Sequence, residues 1–288
     1  MGFYEFFSTN NTTSTTFATI DYSTGDNIFD LKAKYISVDR LTCNLEAVPI
    51  FLYDEPYYVN INGTDYELVY QNFNYPNNGF LNPIYSVAQL LSIVNTGLSN
   101  AGAGTSIIYS PVNNLFTLNN PSSATILFNQ NLKSLFGTFP FSFSTLKDPT
   151  GYQYYQLPNS TILVQEAPST SCWSHWINLF VETNLTIGQT KSNFNQINSQ
   201  QTKPPTYLNF IIDILYPYSS YDWYPASTRS VEFVPYQHRW VEFTPTAVTD
   251  IIVFNLYVQN HNGNRYPVPL YPNKSFSIKL KTSTVESF

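Results

Sequence analysis

The chain has 288 residues, of which 43% are hydrophobic, 17% aromatic and only 11% charged. With 23 Tyr, 22 Phe and 4 Trp it can bury far more surface than a disordered segment, and no apolar run approaches the ~18 residues of a membrane span. The net charge of −6 comes without any cluster of Lys or Arg, which argues against direct binding of nucleic acid. Because an average soluble domain carries about 25% charged residues, uncharged polar residues, including 31 Asn, must cover much of this surface.

The beginning of the chain is weakly patterned. Residues 1–30 are rich in Ser, Thr and Asn, especially from Ser8 to Thr16, which predicts an N-terminal arm or an edge segment rather than core. The first residues also lack the cationic start and apolar run of a secretion signal, so we expect an intracellular product. From Ala33 onward, alternating apolar and polar residues predict β-strands.

One segment breaks the β pattern. Residues 86–101 are predicted to form a helix, in which Ser86 and Gln89 form a capping box and Gly102 follows as a stop. Its apolar residues fall on a single helical stripe: Val87, Leu90, Leu91, Val94 and Leu98.

The residues after this helix predict a compact α+β unit. Residues 107–109 and 115–118 predict a hairpin, residues 125–128 a strand, and residues 132–136 a short helix. We therefore expect residues 65–147 to be an α+β subdomain inserted into an otherwise all-β chain.

Strict alternation of apolar residues returns in the C-terminal half. It predicts strands over residues 206–216, 250–258 and 275–282. The last is apolar on one face and polar on the other, which predicts an outer strand of an antiparallel sheet.

Residues with catalytic or metal-binding chemistry are few. No G-x-S-x-G, H-E-x-x-H or P-loop sequence is present. Cys172 and His175 have the spacing of half a zinc site, and Asp65 and Glu67 lie on one side of a predicted strand, as a glycosidase pair would need. We interpret the thiols of Cys43 and Cys172 as free and the carboxylates as solvated charges, and we expect no enzyme, metal or cofactor.

A long predicted loop over residues 216–224 is rich in Tyr and Trp. Such residues anchor protein interfaces, pack internally or form carbohydrate platforms, and interface contact is the preferred interpretation. The candidate interface residues are Tyr216, Tyr218, Tyr221, Trp223, Tyr224 and Trp240.

Two stretches of the chain together resemble a known family. The first runs from Tyr85-Ser86-Val87-Ala88-Gln89 through the hairpin to residues 126–137 (ILFNQNLKSLFG). The second includes residues 248–254 (VTDIIVF), Asn262-Gly263 and residues 275–280 (SFSIKL). This order resembles the penton, or minor capsid, proteins of virophages and Polinton/Maverick elements, and most of all the mavirus-type virophage pentons.

The resemblance implies a viral jelly-roll β-sandwich that forms homopentamers at icosahedral vertices and contacts the major capsid protein. It implies localisation in the virion after synthesis in the host cytoplasm. We expect an all-β fold with a small α+β elaboration: an arm over residues 1–30, a jelly roll over 31–64 and 148–288, and the insertion over 65–147. The alternative is a glycan-binding β-sandwich module of a viral spike or receptor-binding protein.

Overall fold

The structure is a computed structural model of the chain. It describes residues 1–23, 28–72, 77–102, 104–167, 176–183, 185, 207–208, 230–234, 240–242, 251–260 and 262–285.

Most of the regular structure in this part of the chain is β. The elements, in chain order, are β1 (Gly2–Thr9), β2 (Thr16–Phe17), β3 (Thr19–Ser23), β4 (Tyr35–Asn44), β5 (Phe51–Leu52), β6 (Tyr58–Ile61), β7 (Thr64–Glu67), β8 (Pro83–Ile84), α1 (Val87–Asn100), β9 (Ser106–Ser110), β10 (Leu115–Asn119), β11 (Ile126–Asn129), α2 (Gln130–Leu135), β12 (Ser142–Lys147), β13 (Gln153–Gln156), β14 (Ile162–Val164), β15 (Trp176–Thr183), β16 (Tyr207–Leu208), β17 (Ser230–Phe233), β18 (Val241–Glu242), β19 (Ile251–Asn260), β20 (Arg265–Pro267), β21 (Pro269–Leu270) and β22 (Ser275–Ser283).

The described residues form two compact units. The first unit holds the described residues up to Val48 and those from Trp176 onward, and the second holds those from Pro49 to Ala167.

The first unit has the strand order of a jelly roll. Its two sheets hold ten described strands, of which β18 pairs with β4 and β20 with β19. The other eight, in chain order, are β1, β3, β4, β15, β16, β17, β19 and β22. One sheet joins the first, eighth, third and sixth of these, and the other joins the second, seventh, fourth and fifth. Phe6 of one sheet packs against Phe254 of the other, with ring centroids 5.2 Å apart. Two antiparallel sheets connected in this order are a jelly roll, which confirms the predicted fold class.

The predicted outer strand is instead internal to its sheet. β22 pairs along one edge with β1 and along the other with β4. Its residues do alternate as predicted, with Phe276, Ile278 and Leu280 buried. The prediction of an outer position was wrong because alternation reports which face meets the core, whereas backbone pairing on both edges decides the place in the sheet.

Within the first 30 residues, those that the structure describes differ from a free arm. β1 pairs with β22 along its whole length, from Gly2 opposite Thr282 to Thr9 opposite Ser275. The polar stretch that follows is a turn, in which the Asn10 amide donates to the carbonyl oxygens of Ser14 and Leu270, each at 2.8 Å. β1 and β3 are therefore edge strands, and the Ser and Thr content reflects turn chemistry. The expectation that this segment lies outside the core was wrong, because Phe6, Ile20 and Phe29 are buried.

The second unit contains the predicted α+β elements. α1 begins after Ser86, whose hydroxyl accepts from the Gln89 amide at 3.1 Å, while the Gln89 side chain accepts from the Tyr85 amide at 2.9 Å. β9 and β10 form the predicted hairpin, and α2 begins two residues earlier than predicted because Asn129 caps it. The helix and hairpin predictions are confirmed.

This unit extends beyond residues 65–147 on both sides. β11 pairs with β6 and β13, and β10 pairs with β14, so the flanking strands complete its sheets. Residues 49–64 and 148–167, which were expected in the jelly roll, therefore lie in the second unit. A buried apolar cluster fills it, including Val59, Leu90, Ile107, Phe128 and Phe136.

Candidate assembly surface

The outer face of the first sheet collects charged and aromatic side chains. We call it the charged face, and its residues are Phe3, Glu5, Phe7, Asp39, Arg40, Glu232, Trp240, Lys279 and Lys281. Alternation builds it, because Phe6 of β1 points into the core while its neighbours Glu5 and Phe7 are exposed.

A β-bulge brings two neighbouring residues of β4 onto this face. The register between β22 and β4 shifts after Lys279, which opposes Arg40, so that Leu280 opposes Val38. Asp39 is the extra residue, and bulges of this kind redirect side chains. Lys279 therefore bonds the Asp39 carboxylate at 3.2 Å beside Arg40.

Arg40 links three strands through its guanidinium group. Its Nη2 lies 2.9 Å from Glu5 Oε1 on β1, and its Nη1 lies 3.9 Å from Glu232 Oε1 on β17. All three side chains are more than a third exposed, so each pair stabilises the fold by only about 0–1 kcal/mol. These charges fix the orientation of side chains on the surface more than they hold the sheet together.

Aromatic rings lie among these cations. The Lys279 ammonium is 4.9 Å from the centroid of the Phe3 ring, and that of Lys281 is 5.8 Å from Phe3 and 5.9 Å from the half-buried Trp240. The structure thus brings Trp240 to the charged face. The other five candidate interface residues, Tyr216, Tyr218, Tyr221, Trp223 and Tyr224, lie outside the described residues.

β1 offers a strand edge beside this face. Within the described ranges, β22 is the only strand that pairs with β1. Phe3 and Phe7 are exposed there, Phe7 to 75%. An exposed edge with large apolar side chains is typical of contact with another chain. The sequence did not predict β1 because aromatic residues occur on both faces of this strand and hide the apolar–polar alternation. Tyr4 and Phe6, two residues apart, were the signal that could have indicated a buried face.

The carboxylates considered for catalysis lie in a hydrogen-bonded network of the second unit. Asp65 accepts from Asn60 at 2.7 Å and from the Tyr154 hydroxyl at 2.8 Å. Burial raises the pKa of Tyr154, and the bond to Asp65 adds to this. Asp65 and Glu67 are both exposed on β7, and the geometry of Asp65 is that of a structural acceptor.

Asp148, which the sequence did not single out, is a second acceptor in this unit. Its carboxylate accepts from Asn129 at 2.7 Å and from the Thr150 and Tyr152 amides at 2.9 Å each. Burial acts to raise the pKa of Asp148, but these hydrogen bonds outweigh it and hold the pKa below its ordinary value. The carboxylate therefore organises the turn that joins β12 to β13.

Of the cysteines and the candidate zinc ligands, the structure describes only Cys43. Cys43 is a free, buried thiol whose pKa is raised by burial, which keeps it protonated and poorly reactive. No cluster of three or more metal-ligating residues occurs in the part of the chain that the structure describes. Cys172 and His175 lie outside that part.

None of the described helices is long and apolar enough to cross a bilayer.

Two solved structures share this fold over nearly the whole chain. The mavirus penton protein superposes with a TM-score of 0.69 over 98% of this chain and 100% of that one, at 13% sequence identity. A chain of the Sputnik virophage superposes with a TM-score of 0.70 over 96% of both chains, at 16% identity. No protein-family model and no curated protein matches the sequence. The expected resemblance to virophage pentons is thus confirmed at the level of the fold.

Proposed function

We propose that this chain is a structural capsid protein that forms homopentamers at the icosahedral vertices of a virophage-like, double-stranded DNA virus particle. The observation that carries the proposal is the superposition on the mavirus penton protein, which extends over 98% of this chain and 100% of that one. A match of this extent covers both units of the chain, so it reaches beyond the jelly roll that many unrelated proteins share.

The chemistry of the surface supports a role in assembly. A cyclic pentamer is heterologous, so two different faces of each subunit must be complementary. On the charged face, carboxylates are already neutralised by Arg40 and Lys279 at 2.9 and 3.2 Å. Such a face can meet another subunit without leaving these carboxylates unpaired in the contact.

Trp240 and the aromatic residues of the loop over 216–224 are the proposed anchors of contacts between copies. Trp and Tyr supply large contact area at low entropic cost. The major capsid protein of the surrounding shell is the second proposed partner, and the inserted second unit is proposed to project outward from the vertex. The chain would be made in the host cytoplasm and end in the virion.

Native mass spectrometry of the purified chain at high concentration tests the pentamer. We expect a species of five times the 32.9 kDa mass of one chain. Trp240→Ala should weaken this species, whereas Ser99→Ala, an exposed change on α1, should leave it unchanged. A strictly monomeric chain would contradict the proposal, and saturable binding of that monomer on a glycan array would favour the glycan-binding module instead.

A further inference from the structure

Three side chains with complementary chemistry converge where β4 ends. The ammonium group of Lys274, just before β22, lies 3.0 Å from Glu46 Oε1. The Asn44 amide nitrogen donates to the same oxygen, also at 3.0 Å. An amine and a carboxamide therefore share one carboxylate oxygen.

The carboxylate at the centre is withdrawn from solvent. Glu46 is 6% exposed, and both of its neighbours, Leu45 and Ala47, are buried. The side chain of Lys274 is 36% exposed, which leaves a path to solvent on one side. This arrangement differs from an ordinary surface ion pair in two ways: the carboxylate is buried, and a side-chain amide bonds the same oxygen as the ammonium group.

The Asn44 side chain is held at its oxygen as well as at its nitrogen. Its Oδ1 accepts from the Glu46 backbone amide at 3.1 Å. A backbone N–H in this position stabilises negative charge that develops on an amide oxygen during nucleophilic attack. The cluster thus presents a nucleophile, a proton carrier and an oxyanion donor around one carboxamide.

We propose that Lys274 and Asn44 form an intramolecular isopeptide bond, with Glu46 as the proton carrier. Glu46 takes a proton from the Lys274 ammonium, and the freed Nζ attacks Cγ of Asn44. The Nζ–Cγ bond forms and the Cγ–Nδ2 bond breaks after Glu46 passes its proton to Nδ2. Ammonia leaves and carries the second proton of Nζ away as ammonium, so Glu46 ends ionised as it began and no further reactant is needed.

Proximity lowers the activation barrier of a reaction that is slow between free side chains. The fold holds the amine, amide and carboxylate in one orientation, which turns an encounter of separate groups into an effectively unimolecular step. Proton transfer by a positioned carboxylate lowers the barrier further.

The bond would join parts of the first unit that are distant in sequence. Glu46 and Lys274 are 228 residues apart, and β4 and β22 are neighbours in the same sheet. A covalent link across such a loop restricts the unfolded chain as a disulfide does. It would do so without cysteine pairing, in a chain with only two Cys. This inference is independent of the proposed capsid role.

Intact-mass spectrometry of the folded wild-type protein is the test. The expected mass is lower than that of the sequence by one ammonia molecule, and proteolysis should yield a branched peptide containing Asn44 and Lys274. Glu46→Gln and Lys274→Arg should both restore the full mass and lower the midpoint of thermal unfolding. Lys279→Arg, which changes a Lys of the same sheet paired with Asp39, is the matched control and should keep the reduced mass.

The wild-type measurement decides the matter even where a variant fails to fold. Full mass in the wild-type chain after prolonged incubation in the folded state would overturn the proposal. A reduced mass whose branched peptide maps to another Lys and Asn pair would overturn it equally.

Discussion

The charged face of the first unit and the interior of the second unit pair their polar groups differently: the first uses ion pairs, the second uses neutral side-chain amides. The ion pairs that form between described residues all lie in the first unit, and those on the charged face are partly exposed. In the second unit, buried side-chain amides form hydrogen bonds with backbone groups. Asn120 bonds both backbone groups of Ala124, and Gln165 accepts from the Phe116 backbone amide. Losing an exposed ion pair costs about 0–1 kcal/mol, whereas leaving buried groups unsatisfied costs about 1–3 kcal/mol each.

This difference accounts for the unusual composition. Six charged residues lie on the charged face, and several Asn and Gln side chains of the second unit bond backbone groups of turns and strands. The low charge content of the chain therefore reflects the use of neutral amides to satisfy buried polar groups, as well as the uncharged polar residues of the surface. The comparison predicts that substitutions of buried residues in the second unit lower the free energy of unfolding more than substitutions on the charged face do.

The largest effect is expected in the apolar core of the second unit. Phe128 is fully buried and packs against Phe136 with ring centroids 5.9 Å apart. Phe128→Ala should lower the free energy of unfolding by about 3–5 kcal/mol, measured by denaturant titration. Phe143→Ala, at a side chain 70% exposed, is the matched control, and equal losses for the two would break the comparison.

A buried amide should come next. Asn129 caps α2 by accepting from the Leu132 amide, and it donates to Pro56 O and to Asp148. Asn129→Ala should cost about 2–4 kcal/mol, because it removes a cap and the donor to Asp148 Oδ2, whereas Pro56 O still accepts from Asn131. The exposed Asn100→Ala should change the same titration by less than about 0.5 kcal/mol. A loss below 1 kcal/mol for Asn129→Ala would show that the amide network does not stabilise the unit.

Acid should weaken the second unit through Asp148. Since hydrogen bonds hold its folded pKa below that of the unfolded chain, it contributes stability above the unfolded value of about 3.9. That contribution is lost as the pH falls through the folded pKa. Thermal unfolding followed from neutral to acid pH should therefore show a decline below about pH 4, and Asp148→Asn should flatten it. An unchanged profile in the variant would contradict this role.

The smallest effect is expected on the charged face. Glu5→Gln removes the exposed pair with Arg40 and should change the free energy of unfolding by no more than about 1 kcal/mol. The difference should shrink further at high salt, because exposed charges are screened. If Glu5→Gln lowered the free energy of unfolding as much as Asn129→Ala does, the ion pairs of the charged face would contribute substantially to stability, which would contradict the comparison.

The sequence predicted most of what local chemistry decides. The Ser86 cap, the helical stripe and the β9–β10 hairpin depend on residues close together in the chain, and the structure has all three. The alternation in β19 and β22 was also correct. These features follow from backbone periodicity and need no knowledge of the partner strand.

Pairing between distant strands could not be predicted in the same way. β22 lies between β1 and β4, and nothing in its alternation indicates two partners. The extent of the second unit depends likewise on β6 and β13 pairing with β11. The charged face was missed because Glu5, Arg40 and Glu232 come together only once the four strands β1, β22, β4 and β17 are in register.

The central claim is that this chain builds the vertices of a capsid. Cryo-electron microscopy of virus particles that contain the chain tests it most directly. We predict five copies of the jelly roll around each five-fold vertex, with strand density that follows the sheet order described above. A chain found elsewhere in the particle, or a vertex formed by another protein, would contradict the account.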